Sequence, residues 1–188
     1  VIVDQAYVEF GGTDFASLVP QHANLIVMRT FSKWAGLAGL RVGYGIFPKE
    51  IAAHLFKIKQ PYNASAAAQS AVLASLADIE YLRLNIMKIV MERQRLFGKL
   101  KELGWLKPYP SQANFILCSL PEGEAKEIWQ QLRKKGIFVR YFDTPLLQDC
   151  LRISVGRRED TDALIEALRT LPVIVNEAKQ SRDEGKAK

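Results

Sequence analysis

The chain has few of the residues that build metal and disulfide sites. Its 188 residues include only two cysteines, Cys118 and Cys150, and two histidines, His22 and His54. Neither cysteine stands in a CxxC pair or a Cys/His ligand spacing, and the histidines are isolated, so the common zinc motifs are excluded and no metal site is predicted. Both cysteines adjoin apolar runs. They read as free, mostly buried thiols of a reducing compartment, with a disulfide between them as the less favoured alternative. Long apolar stretches are also missing: the longest are strand-sized, which excludes a membrane-spanning helix and predicts no membrane partner. The opening residues Val1-Ile2-Val3-Asp4 carry neither the basic nor the apolar segment of a secretory signal. Because they also lack Met, the chain reads as a piece of a longer polypeptide. Any targeting segment would then lie in the part not seen.

Acids are outnumbered by bases, giving a formal net charge of +6. The cations are nonetheless interspersed with acids on helix-like segments such as Arg93-Gln94-Arg95 and Arg133-Lys134-Lys135, a pattern of solvated faces and not of a nucleic-acid footprint. No nucleic-acid partner is predicted, and anionic small molecules remain compatible.

What is present is an ordinary globular composition, long enough for one large domain or two small ones. The first ninety or so residues alternate strands and helices. Val1–Asp4, Leu25–Thr30 and Val42–Phe47 read as strands, the first two as buried ones because their apolar residues are continuous. Pro48 suits a helix start, and Ile51, Leu55 and Ile58 recur at helical spacing until Gln60-Pro61. An Ala-rich helix follows from about Ser65 to Leu76. From Asp78 an amphipathic pattern runs through Ile79, Leu82, Ile86, Val90, Phe97, Leu100 and Leu103 to Gly104, a helix on the order of 38 Å long, suited to bridge two domains. Beyond it lie a strand at Asn114–Cys118, a helix from about Glu124 to Lys135 ended by Gly136, strands at Phe138–Arg140 and Leu151–Val155, and a helix from about Glu159 to Leu171 closed by Pro172. The predicted domains are residues 1–92 and 93–172, with a polar tail, 173–188, expected to be disordered.

Two polar clusters sit where strands end, which is where ligands bind in open α/β sheets. Asp4-Gln5-Ala6-Tyr7 follows the first strand. Thr30-Phe31-Ser32-Lys33 follows the second, leading into Gly36-Leu37-Ala38-Gly39-Leu40-Arg41. Taken singly, each residue has a dull role: Lys33 a surface lysine, Asp4 a turn or helix cap, Tyr7 a core-edge tyrosine, Arg41 a surface cation. Together they meet the needs of pyridoxal phosphate. A lysine captures the aldehyde and carries a proton, and a carboxylate, for which Asp4 at its strand end suits as a buried partner, keeps the pyridine nitrogen protonated. A phenol adjusts the ring hydroxyl, while hydroxyls, backbone N–H groups and an arginine hold the phosphate.

These motifs, with Pro61-Tyr62-Asn63, Ser111-Gln112-Ala113-Asn114-Phe115-Ile116-Leu117 and the stretch from Arg140 to Leu151-Arg152-Ile153-Ser154, resemble the fold-type-I, aspartate-aminotransferase-like enzymes, and most closely the histidinol-phosphate aminotransferases. The resemblance runs from Val1 to about Leu171. It implies an α/β chain comprising part of a large cofactor-binding domain and a small α/β domain. Lys33 would be the Schiff-base lysine, Asp4 the partner of the pyridine nitrogen and Tyr7 that of the ring hydroxyl, with Thr30, Ser32 and Arg41 on the cofactor phosphate. Arg152 would grip the amino-acid carboxylate and Arg140 help bind a substrate phosphate. Asn114 would line the substrate side, and Tyr62 and Asn63 approach a neighbouring subunit's site. Gln5 takes a place where close relatives often carry an acid; strand alternation points it away from the ring.

The implied reaction is amino transfer between histidinol phosphate and 2-oxoglutarate in histidine biosynthesis, by a homodimer in a bacterial cytoplasm or a plastid. An aminotransferase for aromatic amino acids, a threonine-phosphate decarboxylase relative, and a non-catalytic binding or dimerisation module are the alternatives. The resemblance further implies that the stacking aromatic, the helix-terminal phosphate loop and a partner-subunit tyrosine come from residues not in this chain. The chain alone is therefore expected to lack activity.

Overall fold

The β-branched runs that open the chain pair with each other in the computed structural model, which describes residues 1–121 and 123–171. Strands β1 (Ile2–Asp4) and β2 (Ile26–Thr30) lie parallel, with Ile2 opposite Ile26 and Asp4 opposite Met28. Strand β3 (Gly43–Ile46) adds antiparallel to β2 and completes the order β1-β2-β3. The crossover from β1 to β2 contains 3₁₀ segments at Val8–Phe10 and Ala16–Gln21, which lack a period long enough to be read from sequence. One expectation fails here: β1 is not buried. Val1 is 74% and Ile2 69% exposed, because β1 is the edge of a three-stranded sheet and nothing among the described residues covers it.

Helix α1 (Lys49–Ile58) starts after Pro48, and α2 (Ala66–Ala77) is capped by Ser65, whose Oγ accepts the Ala68 N–H at 3.2 Å. That cap satisfies a donor the helix cannot satisfy itself. The apolar side of α1 is uncovered: the helix buries no residue, and Phe56 and Ile58 are both largely exposed.

The long helix α3 (Ile79–Glu102) contributes to two compact units, one comprising Val1–Met91 with Gln112–Asn114, the other Glu92–Ser111 with the described residues from Phe115 onward. In the second unit β4 (Lys107–Pro108), β5 (Phe115–Ser119), β6 (Arg140–Tyr141) and β7 (Cys150–Ser154) form an antiparallel sheet in the order β4-β5-β7-β6. Helices α4 (Glu124–Lys134) and α5 (Arg158–Arg169) join Leu96 and Leu100 of α3 in a core with Ile116, Ile128, Leu132, Leu151, Ile165 and Leu168. Arg95 ties α3 to α5 by donating to Asp162 Oδ1 at 2.7 Å and to the Arg158 carbonyl at 2.8 Å, while also pairing with Glu92. The expected strand at Phe138–Arg140 is shifted to Arg140–Tyr141. Phe138 is 79% exposed, so an apolar residue there reports no strand face. Pro172 and the tail 173–188 lie outside the described residues.

Cys118 and Cys150 are free and buried. Register explains why they do not pair: Cys118 stands opposite Leu151 and Ser119 opposite Cys150, so alternation sends the two thiols to opposite faces of the sheet. Burial, with Cys150 as a smaller influence, pushes the Cys118 thiol up to about 12. Among the described residues there is no group of three metal-ligating side chains, and no helix is long and apolar enough to cross a membrane.

The core makes a stability prediction. Leu100 is fully buried and Leu146 is 93% exposed, so Leu100→Ala should lower stability by about 2–5 kcal/mol and Leu146→Ala by no more than about 0.5 kcal/mol. Urea denaturation of the two variants checks it. Similar losses for both would mean that the core is misassigned.

Candidate active site

Chain direction brings the polar clusters of the first unit together, since parallel β1 and β2 place their C-terminal ends side by side. Asp4 ends β1 and Thr30 ends β2. Lys33 and Tyr7 meet just beyond, with Lys33 Nζ 5.7 Å from the centre of the Tyr7 ring. The lysine is exposed, although its loop is anchored: Phe31 is 7% exposed and packs against Trp34 and Tyr44 with ring centres 5.3 and 5.5 Å away. Gly36 turns the loop at φ +69, a conformation side chains other than glycine adopt at a cost. Gly43 lets β3 approach β2, because a Cβ there would lie 2.7 Å from the Arg29 carbonyl oxygen.

Asp4 differs from expectation in being exposed, for the same reason that β1 is. Its Oδ1 accepts the Ala6 N–H at 2.9 Å, fixing the turn toward Tyr7. Its Oδ2 has no protein partner among the described residues. The Thr30 hydroxyl is occupied locally, accepting the Ser32 N–H at 3.0 Å and donating to the Val42 carbonyl at 3.3 Å. It thereby shapes the turn that carries Ser32 and Lys33. Arg41 is exposed, donates to the Ala38 carbonyl at 3.1 Å and has φ +52. Only one other non-glycine residue among those described has positive φ, Ala64 at φ +62, directly after Tyr62-Asn63. Such backbone costs on the order of 1–2 kcal/mol and collects at ligand sites; here one instance is the candidate residue Arg41 and the other directly follows the candidate pair Tyr62-Asn63. Tyr62 is 96% exposed, and Asn63 Oδ1 accepts from Lys59 Nζ at 3.3 Å.

One feature escaped sequence reasoning. Arg29, on β2, donates through Nη2 to Gln5 Oε1 at 3.2 Å and to Asp14 Oδ1, and Gln5 is buried with its Nε2 donating to the Thr13 carbonyl at 2.6 Å. Burial works against the charge of Arg29, but its bonds to Asp14 and Tyr44 outweigh that and raise its affinity for the proton. Burial also raises the Glu9 carboxyl, offset in part by its own backbone N–H and by Arg29. This network joins the residue after Asp4 to the strand before Lys33. The available signal was a guanidinium placed directly after an apolar strand run.

In the second unit, Arg140 and Arg152 are cross-strand partners on β6 and β7 and therefore share one face of the sheet. Their guanidinium carbons lie 5.4 and 5.7 Å from the centre of the Phe142 ring, and that of Arg152 also lies 5.0 Å from the Phe115 ring. Neither has a carboxylate partner among the described residues, and Arg152 Nε is buried without a hydrogen bond. Asn114 precedes β5 and groups with the first unit.

The donor set suits an anionic pyridine aldehyde: an exposed primary amine beside a phenol, a carboxylate with an open oxygen, and an exposed arginine near the Ser32 hydroxyl turn. Comparison with known proteins agrees. The chain is 55% identical to the histidinol-phosphate aminotransferase of Dehalococcoides mccartyi over 167 residues, 89% of this chain and 47% of that protein. The crystal structure of histidinol-phosphate aminotransferase from Sinorhizobium meliloti in complex with pyridoxal-5'-phosphate superposes with a TM-score of 0.79 at 33% identity, covering 89% of this chain and 47% of that one. L-threonine-O-3-phosphate decarboxylase from Porphyromonas gingivalis gives 0.80 at 25% identity, covering 90% and 54%. The chain thus spans about half the length of the curated relatives it matches, and its architecture is that of the fold-type-I pyridoxal-phosphate-dependent aminotransferases. Since the sequence pattern described as aminotransferase class I and II matches continuously over residues 1–168, both the lysine-bearing unit and the arginine-bearing unit included, the chain belongs to the class I and II aminotransferase family.

Proposed function

We propose that this chain supplies the lysine-bearing part of an aminotransferase that moves an amino group between histidinol phosphate and 2-oxoglutarate. The observation that carries the substrate assignment is the in-register pair Arg140 and Arg152, two guanidiniums on one sheet face with no carboxylate partner among the described residues. Two adjacent cations suit a phosphate dianion, and the guanidinium fork also meets the carboxylate of glutamate with two parallel hydrogen bonds.

Pyridoxal phosphate, when bound, supplies an aldehyde that takes up the amine and a protonated ring that withdraws electrons from the bond being broken. Lys33 holds the cofactor at rest, and its freed amine then moves a proton at the substrate carbon that bears nitrogen. Asp4 keeps the ring nitrogen cationic, using the oxygen that its own turn leaves open. Tyr7 serves the ring hydroxyl, and Ser32, Thr30 and Arg41 hold the cofactor phosphate. Asn114 lines the substrate side. Tyr62, exposed on its loop with Asn63, faces a second subunit of a homodimer.

Arg140→Ala tests the substrate. In a polypeptide joining this chain to the part of a relative that it does not cover, kcat/KM for histidinol phosphate should fall by about one to two orders of magnitude, the loss of a charged hydrogen bond worth roughly 1.5–3 kcal/mol. Glutamate should be affected less. Equal losses for both would favour a general aminotransferase, such as one for aromatic amino acids. The likeness to a threonine-phosphate decarboxylase supports one further reading with the same phosphate-binding pair; release of carbon dioxide from threonine phosphate would identify it.

A further inference from the structure

Like charges placed directly opposite on neighbouring strands destabilise a sheet, yet Arg140 and Arg152 are so placed with no carboxylate partner among the described residues. What accompanies them is aromatic: the Phe115 ring lies 5.0 Å from the Arg152 guanidinium carbon, and one further ring is shared by both arginines. Phe142, two residues beyond Arg140, has its ring centre 5.4 Å from one guanidinium carbon and 5.7 Å from the other. A cation over a ring face is attracted by the negative face of the π-system, so a single side chain restrains both arginines.

We propose that Phe142 is a specificity-determining positioning residue: its ring holds the two guanidiniums aligned before an anion arrives, and so favours a dianionic phosphate ester over a monoanionic carboxylate. The inference rests on reading Arg140 and Arg152 as anion-binding residues. Long arginine side chains lose rotamer freedom when they bind, and ordering them in advance removes that cost from the binding step. Charge decides which ligand gains more. Coulomb attraction scales with the product of the charges, so a dianion draws on both aligned cations where a carboxylate is served by one fork.

The test uses the 188-residue chain, with inorganic phosphate and acetate as probes and the Nε–H resonances of Arg140 and Arg152 as reporters. Phe142→Leu keeps the apolar bulk and removes the ring face. It should weaken phosphate about tenfold, change acetate by less than about threefold, and shift both arginine resonances in the free protein as ring-current shielding disappears. Phe142→Tyr should restore the wild-type values, and Phe142→Ile serves as a second ringless variant should the leucine variant not fold. Phosphate affinity that depends on Arg140 but is unchanged in a folded ringless variant would overturn the inference and leave the arginine pair intact. Phosphate affinity indifferent to Arg140→Ala would instead remove the reading of the pair itself, and the role of Phe142 with it.

Discussion

Lys33→Ala is expected to reduce kcat by about four orders of magnitude or more, because one amine both holds the cofactor and carries the proton, and groups that act as a unit fail together. The assay requires the half-length that the relatives possess and this chain does not cover, so the substitution is made in a polypeptide joining the two. Lys33→Arg should be nearly as inactive. A guanidinium keeps the charge, but it cannot release a proton near neutrality and does not add to an aldehyde as an amine does. Folding is not at risk, since Lys33 is exposed and its loop is held by Phe31, Trp34 and Tyr44. Borohydride reduction of the loaded wild-type protein followed by peptide mapping supplies an independent readout. The label should sit on Lys33; a label on any other lysine would reassign the centre of the site.

What sequence could and could not reveal follows from what each signal measures. Helices α1 and α3 were legible because their apolar residues recur at a helical period, and α2 because it is rich in alanine; the Ser65 cap emerged only with the fold. The strands β1 and β2 were legible from β-branched runs, but their burial was not, because burial depends on neighbours and β1 has none on its outer side among the described residues. The two-residue strands β4 and β6 are too short to carry a period. At the candidate site, Lys33, Asp4 and Tyr7 stand out in the sequence because the proposed chemistry needs those residue types at strand ends. Their support could not. Gln5 and Arg29 look like unremarkable polar residues until folding places one against the other at 3.2 Å, and Phe142 resembles any aromatic beside a strand until the register sets two arginines on it. Types of residue reveal chemistry, whereas positioning depends on contacts between segments distant in sequence.

Asp4 allows charge and geometry to be separated, which makes its substitution the more instructive of the two large effects. The side chain does two things: Oδ1 caps the Ala6 N–H at 2.9 Å, and the carboxylate charge is available to a ring nitrogen. Asp4→Ala removes both, while Asp4→Asn keeps an oxygen for the cap and removes only the charge. A neighbouring carboxylate raises the pKa of a basic nitrogen by about one to three units. Without it, at a pH above that pKa, the protonated fraction and with it kcat should fall roughly ten- to a thousandfold. Both variants should therefore be slow, with Asp4→Ala also losing the bond that fixes the turn toward Tyr7, a loss of stability on the order of 1 kcal/mol. Cofactor retention should change little, because Lys33, Ser32 and Arg41 do not depend on the charge of Asp4. The sign of the pH dependence follows directly: lowering pH restores the protonated ring without help, so the ratio of variant to wild-type kcat should rise as pH falls toward the lowered pKa. A flat ratio, or an Asp4→Asn variant as fast as wild type while Asp4→Ala is slow, would make Asp4 a turn-capping residue and send the search for the pyridinium partner elsewhere.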